Sequence, residues 1–187
     1  MQSLAHHLLI AMPSLQDPVF SRTVTYLCEH NDDGAMGLIL NRPVDISLQQ
    51  LLVALTIKEE GFTLAPATNN QVLFGGPVNS DRGFVLHSAG STFASSHQLT
   101  DEIALTTSKD VLEALGTLAQ PQRYLVTLGY SGWSPGQLEQ ELRDNVWLTI
   151  PADPELLFEV PQAQLWQQAV SRLGIDICHL SNDVGHA

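Results

Sequence analysis

Several constellations in this sequence have residue types and spacings that could do chemistry. The first is Gly129-Tyr130-Ser131-Gly132-Trp133, which follows the apolar run Tyr124 to Leu128 and precedes Ser134-Pro135 and Gln137. A nucleophile elbow uses such a strand-to-helix turn to expose a serine above a helix N-terminus. Trp133 stands where that motif needs its second glycine, and the large ring obstructs the sharp turn. A tight turn with a buried tryptophan is the stronger reading, and no acid or base partner for Ser131 can be picked from one sequence. The second is Gly75-Gly76-Pro77, whose glycines would let a backbone approach a ligand or another strand. Exposed amides there would suit an anion, while a β-bulge or strand exit explains the same residues without a ligand. The third is Asn41-Arg42-Pro43. Pro43 biases Arg42 towards an extended conformation, and a guanidinium can clamp a carboxylate or phosphate or make a structural hydrogen bond. If the two strand ends and the 129–137 segment lie side by side, Asn41, Arg42, Gly75, Gly76, Gly129, Ser131, Trp133 and Gln137 form one candidate ligand-binding pocket.

Two further groups are weaker. Cys28 and His30 alternate onto one strand face, with His6-His7 on a neighbouring strand, but metal sites need three or four converging ligands and no zinc-type spacing is present. No metal and no cofactor are expected. Glu139 and Glu141 at i,i+2 point to different sides of a helix and read as a solvated face.

The elements that must position these residues are legible in part. Thr23 to Cys28 and Ala35 to Leu40 flank Asn31-Asp32-Asp33-Gly34, the pattern of a β-hairpin. Ala35 and Gly37 leave space on one face of the return strand, where something packs closely. Leu8 to Ala11 reads as a short buried strand. Ser47 and Gln50 form a capping box ahead of the stripe Leu48, Leu51, Leu52 and Leu55. Gly61 to Asn70 reads as a mobile loop. Strands are expected over Gln71–Phe74, Phe84–His87 and Ile103–Thr106, with a turn at Asn79–Gly83 and a loop at Ser88–Gln98. Val111, Leu112, Leu115 and Leu118 have helix spacing, stopped by Pro121. Ser134 reads as the N-cap and Pro135 as the first residue of a helix bearing Leu138, Leu142 and a Glu139–Arg143 pair. Val146 to Leu148 is a strand. Asp153-Pro154 and Pro161 open two helices, the second carrying Trp166 and stopped by Gly174, and Ile175 to Leu180 is a last strand. This order is a mixed α/β or α+β single domain spanning residues 1–187, and it lacks the βαβ alternation of a doubly wound dinucleotide fold.

Composition narrows the function classes. The 187 residues hold 44% hydrophobic and only 15% charged side chains, enough for a sizeable core and unlike a disordered chain. Eight Lys plus Arg against twenty Asp plus Glu give a formal charge of −12. Such a chain is repelled by phosphate backbones unless its basic residues cluster, and these are scattered singly, so direct nucleic-acid binding is not expected. No apolar run reaches a membrane span, and the start lacks the basic flank and apolar length of a signal peptide, so a cytoplasmic location is expected. The two cysteines, Cys28 and Cys178, are expected to stay reduced.

Several separate segments, in order along nearly the whole chain, resemble the AlgH/YqgE family of bacterial proteins of unknown molecular function. They are Leu9 to Pro13, Asp17 to Phe20 with Arg22-Thr23-Val24, Gly34 to Pro43, and Phe74-Gly75-Gly76-Pro77-Val78. Leu128 to Trp133 with Gly136 to Glu139, then Trp147-Leu148 ahead of Leu157-Phe158 and Trp166, complete the set. Ser131 is a departure, since the family pattern often carries alanine there, which counts against serine chemistry. The resemblance implies a sheet curled into a partial barrel packed by helices, in a bacterial cytosolic protein. One branch takes its name from a proposed role in regulating alginate production. No established catalytic residues come with it. The leading expectation is therefore a non-enzymatic regulatory protein that contacts another macromolecule, a protein, with any effect on transcription indirect. The alternative is a small-ligand or anion-binding domain at the strand ends. A serine hydrolase at Ser131 ranks last.

Overall fold

The computed structural model describes residues 3–65 and 70–174. Part of the expected mobile loop, including Asn69, and the expected strand Ile175 to Leu180 with Cys178 lie outside the described residues. The chain begins with β1 (His7–Ala11), β2 (Val24–Asn31), β3 (Gly34–Ile39) and β4 (Pro43–Ser47), followed by α1 (Leu48–Ala54). Next come β5 (Gln71–Phe74), β6 (Val78–Ser88), β7 (Ser96–Gln98), β8 (Ile103–Thr106) and α2 (Lys109–Ala114). β9 (Tyr124–Trp133), α3 (Gln137–Arg143), β10 (Trp147–Pro151), α4 (Pro154–Phe158) and α5 (Gln162–Arg172) complete it.

The strands form one curled sheet in the order β10-β1-β2-β3-β9-β6-β8-β7, with β5 pairing both β4 and β9. Every pairing is antiparallel except β5 with β9. The result is a mixed α+β half-barrel with five helices among the described residues. Its inner face carries Leu8, Ile10, Tyr26, Leu38, Leu86 and Leu125 and is covered by Leu157, Leu165, Trp166 and Ala169 of α4 and α5. α1 and α2 cover a second core around Val72, Val85 and Val126. α3 covers a third, around Leu9, Leu27, Trp133 and Trp147.

Local signals account for several of these elements. The β2–β3 hairpin closes through Asp32-Asp33, with Asn31 Oδ1 accepting from Asp33 N at 2.8 Å and Gly34 at φ +125°. α1 has the capping box read from Ser47 and Gln50, and Asp153 caps α4 by accepting from Leu156 N. Elsewhere tertiary pairing overrides the local pattern. β9 does not turn at Gly129 but runs on to Trp133, held by the register of Trp133 opposite Ala35 in β3. α3 consequently starts at Gln137, after Gly136 at φ +78°, and Ser134 does not cap it. Gln137 Oε1 nonetheless accepts from Ser134 N at 3.0 Å, one of the two hydrogen bonds of a capping box. Residues 79–83 are not a turn between strands but an irregular stretch within β6. α2 ends at Ala114 ahead of Gly116 at φ +76°, leaving Leu118 fully exposed. β4 was not expected, and Ser96 to Gln98 of the expected loop forms β7.

Two β-bulges shape the open end of the half-barrel. In β2 the register shifts between Leu27 and Glu29, so Cys28 is the extra residue. Cys28 packs in the inner core, and the bulge sends His30 to the opposite face, against α3. The expected shared face of Cys28 and His30 is thus absent. In β6 the register shifts between Val78 and Gly83, with Asn79 left-handed at φ +48°.

Candidate functional site

The strand ends read as candidate ligand loops lie side by side. Phe74 N donates to Arg42 O at 2.7 Å, Ile39 N to Gly75 O at 2.9 Å, and Gly75 N to Leu128 O at 2.8 Å. The contact explains its glycines. β9 pairs with β5 through Val126–Leu128 and with β3 through Ser131–Trp133, so it changes partner on one edge at Gly129. Gly129 takes φ +71° there, and a Cβ on it would lie 2.3 Å from Gly76 O. A Cβ on Gly75 would meet Gly129 O at 2.3 Å, and one on Gly76 would meet Tyr130 C at 2.2 Å. Backbone therefore fills the space that side chains would need, and the Gly75 amide is engaged by Leu128 O. Ser131 is buried in it and donates to Gly75 O at 3.2 Å.

Asn41 and Arg42 hold the segment before β2. Asn41 Oδ1 accepts from Val24 N and its Nδ2 donates to Arg22 O, both at 2.9 Å, while Arg42 Nη2 donates to Ser21 O at 2.6 Å. Trp133 and Gln137 belong to the α3 neighbourhood. There Glu141 Oε2 accepts from Trp133 Nε1 and Trp147 Nε1, each at 2.8 Å, and Gln137 Nε2 donates to Glu141 Oε1 at 3.0 Å. Nor is Glu139 solvated. His30 Nδ1 accepts from Leu4 N at 2.8 Å, which leaves Nε2–H to donate to Glu139 Oε1 at 2.8 Å. Hydrogen bonds from its own backbone amide and from His30 hold the Glu139 carboxyl below its ordinary range. Arg143 donates to Gln140 instead of pairing with Glu139. His30, far away in sequence, and the nearby indoles of Trp133 and Trp147 overturn the solvated-face expectation for Glu139 and Glu141 respectively.

Sequence reading missed the largest described concavity. It is an open cavity of about 840 Å³ where α4 and α5 no longer cover the inner face. Met36, Val78, Phe84 and Tyr130 line it, with Phe84 and Tyr130 edge to face at 5.7 Å. Both bulges aim polar groups at it: Glu29 from β2, and Asn79 and Arg82 from β6. The Arg82 guanidinium lies 5.6 Å from the Phe84 ring centre. Among the described residues, Arg82, Glu29 and Asp33 have no ion-pair partner. Trp133 and Ser134 reach its rim from the 129–137 segment. The Asn79–Gly83 segment, read from the sequence only as a turn, supplies Asn79 and Arg82 to it.

A buried polar chain lies under α2. His87 is fully buried; its Nδ1–H donates to Ser88 O at 2.9 Å and its Nε2 accepts from the Thr106 hydroxyl at 2.8 Å. Thr106 in turn accepts from Ser96. Burial lowers the His87 pKa, opposed in part by the Ser88 hydrogen bond. The folded state therefore favours neutral His87, whereas the unfolded chain gains a proton as pH falls below about 6.5. Stability from this group is present above that pH and is lost as pH drops towards the depressed folded value. The urea midpoint is expected to fall between about pH 7.5 and about pH 5.5, and by less in His87→Gln; equal falls would contradict this assignment. Among the described residues, no group of three His, Cys, Asp or Glu is placed to hold a metal ion, and no described helix is long and apolar enough to cross a membrane.

The AlgH-like family model matches residues 8–178. A UPF0301 protein of Shewanella woodyi is 56% identical over 187 residues, covering all of both chains. One from Vibrio cholerae is 52% identical, covering 99% of this chain and all of its own. The solution structure of AlgH from Pseudomonas aeruginosa superposes with a TM-score of 0.76 at 47% identity, over 100% of this chain and 97% of that one. A Corynebacterium diphtheriae structure shares the fold, with a TM-score of 0.72 at 18% identity over 97% and 93% of the two chains. The protein whose strand crossing, half-barrel and open cavity are described above belongs to the AlgH-like family.

Proposed function

We propose that the protein is a cytoplasmic, non-enzymatic regulatory protein that acts by binding another protein at the open end of its half-barrel. The observation that carries this reading is the lining of the 840 Å³ cavity. Tyr130, Trp133 and Arg82 are of the residue types that dominate binding energy at protein interfaces, and Met36 adds a surface that adapts to its partner. Arg82, Glu29 and Asp33 stand ready to pair with a partner's charges, which would fix its orientation. A charge of −12 favours a protein partner over a phosphate backbone, so any effect on transcription is indirect. Cys28, a free thiol buried in the core, suits a reducing compartment.

The alternative, a small ligand held around Arg42, Gly75-Gly76 and the 129–137 segment, draws less support, because Arg42 is engaged by Ser21 O and the glycine faces are filled by backbone. A photo-crosslinking residue at position 36 is expected to trap one discrete protein in the host cell, and one at the exposed position 118 is not.

A further inference from the structure

A separate concavity lies at the other end of β2. Arg22, just before that strand, has φ +54°, a left-handed conformation that a bulky side chain rarely adopts. The neighbouring polar groups keep it there. Asn41 Nδ2 donates to the Arg22 carbonyl, Asn41 Oδ1 accepts from Val24 N, and Arg42 grips the Ser21 carbonyl. The braced backbone lays the guanidinium over Trp166 of α5, 5.4 Å from the ring centre. Trp166 is itself anchored, its Nε1 donating to Ala11 O at 2.9 Å. Among the described residues the Arg22 guanidinium makes no hydrogen bond and no ion pair. Arg123 and Arg172, by contrast, each face carboxylates.

Arg22 and Trp166 line a concavity of about 380 Å³ together with Asn41, Ala163 and Gln167. No carboxylate lines it. The cavity at the open end of the half-barrel, by contrast, includes Glu29 and Asp33. In a chain of charge −12, a concave site that holds an unpaired guanidinium and excludes carboxylates is suited to a negative ligand. The planar fork of a guanidinium matches two oxygens of one oxyanion. Stacking on an anchored indole fixes its orientation in advance, so little freedom is lost on binding.

We propose that this cavity binds the oxyanion group, carboxylate or phosphoryl, of a small organic molecule, with Arg22 as its clamp and Trp166 as the apolar wall beneath it. The site is independent of the cavity assigned to a protein partner, and either can fail without the other.

The test uses the full chain, with the Arg22 Nε–H and Trp166 indole resonances followed by NMR. Inorganic phosphate and acetate are titrated separately at constant ionic strength. Saturable shifts with at least one anion are expected, and the tighter of the two identifies the preferred group. Arg22→Gly removes the guanidinium but accepts φ +54° without strain, so the fold is kept. It is expected to weaken binding by about tenfold or more. Arg123→Gln removes an arginine that faces Glu159 away from this cavity, and should leave binding unchanged. Unaltered affinity in Arg22→Gly, equal weakening in Arg123→Gln, or no saturable shift with either anion would overturn the proposal.

Discussion

Gly76→Ala should be among the most destabilising single substitutions in the chain. The added Cβ would lie 2.2 Å from Tyr130 C and 2.3 Å from Ser131 N, and both are backbone atoms of a strand paired on its two edges. Neither can move without displacing β3 or β6. The φ of +152° adds strain of its own for any residue with a Cβ. Overpacking of this kind is expected to cost about 4 kcal/mol or more, a large share of a typical domain stability of about 5–15 kcal/mol. The thermal midpoint would fall by roughly 8–16 °C. Gly83→Ala is the matched control in the same region, since no heavy atom lies within 4 Å of its added Cβ. It should stay within about 0.5 kcal/mol of the parent. Denaturant unfolding of both variants measures the contrast, and equal stabilities would mean that the crossing is not rigid.

Glu141→Ala should cost about 3 kcal/mol. The Glu141 carboxylate is the acceptor for two indole N–H groups, on Trp133 at 6% and Trp147 at 5% exposure. Removing it orphans two largely buried donors, each worth about 1–3 kcal/mol when unsatisfied. The rings meet edge to face at 6.2 Å, and Phe20 packs edge-on to Trp147 at 5.7 Å, so the outer core loosens with them. Glu141→Gln retains an acceptor for the indoles but turns an amide donor towards Gln137 Nε2, and a smaller loss of about 1 kcal/mol is expected. Equilibrium unfolding decides between this ordering and the alternative of a dispensable surface carboxylate, for which both variants would match the parent.

The sequence revealed what is local. The first hairpin, the Ser47–Gln50 capping box and the Asp153 cap each depend on a few neighbouring residues and each forms, although the hairpin closes through Asp32-Asp33 and places Gly34 in the return strand. The glycines at 75 and 76 were legible as points of close approach, but not what approaches them, because that is another strand; Gly129 read as a turn, and only the pairing of β9 shows it to be part of the same crossing. Ser134, Pro135 and Gln137 carry a good helix-start signal, yet pairing of Trp133 with Ala35 extends the strand past it. The fates of Glu139 and Glu141 depend on His30 and Trp147, brought near only by the folded sheet. The open cavity was the least visible, since two bulges decide which way Glu29, Asn79 and Arg82 point, and a bulge leaves no reliable mark in alternation.

The central claim, that the open end of the half-barrel receives a protein, is tested most directly by in-cell photo-crosslinking from position 36. The account predicts one discrete adduct of fixed mass. It should disappear when Tyr130 is also changed to Glu, and it should not form from position 118. Adducts of many masses from both positions, or a position-36 adduct unaffected by Tyr130→Glu, would contradict it.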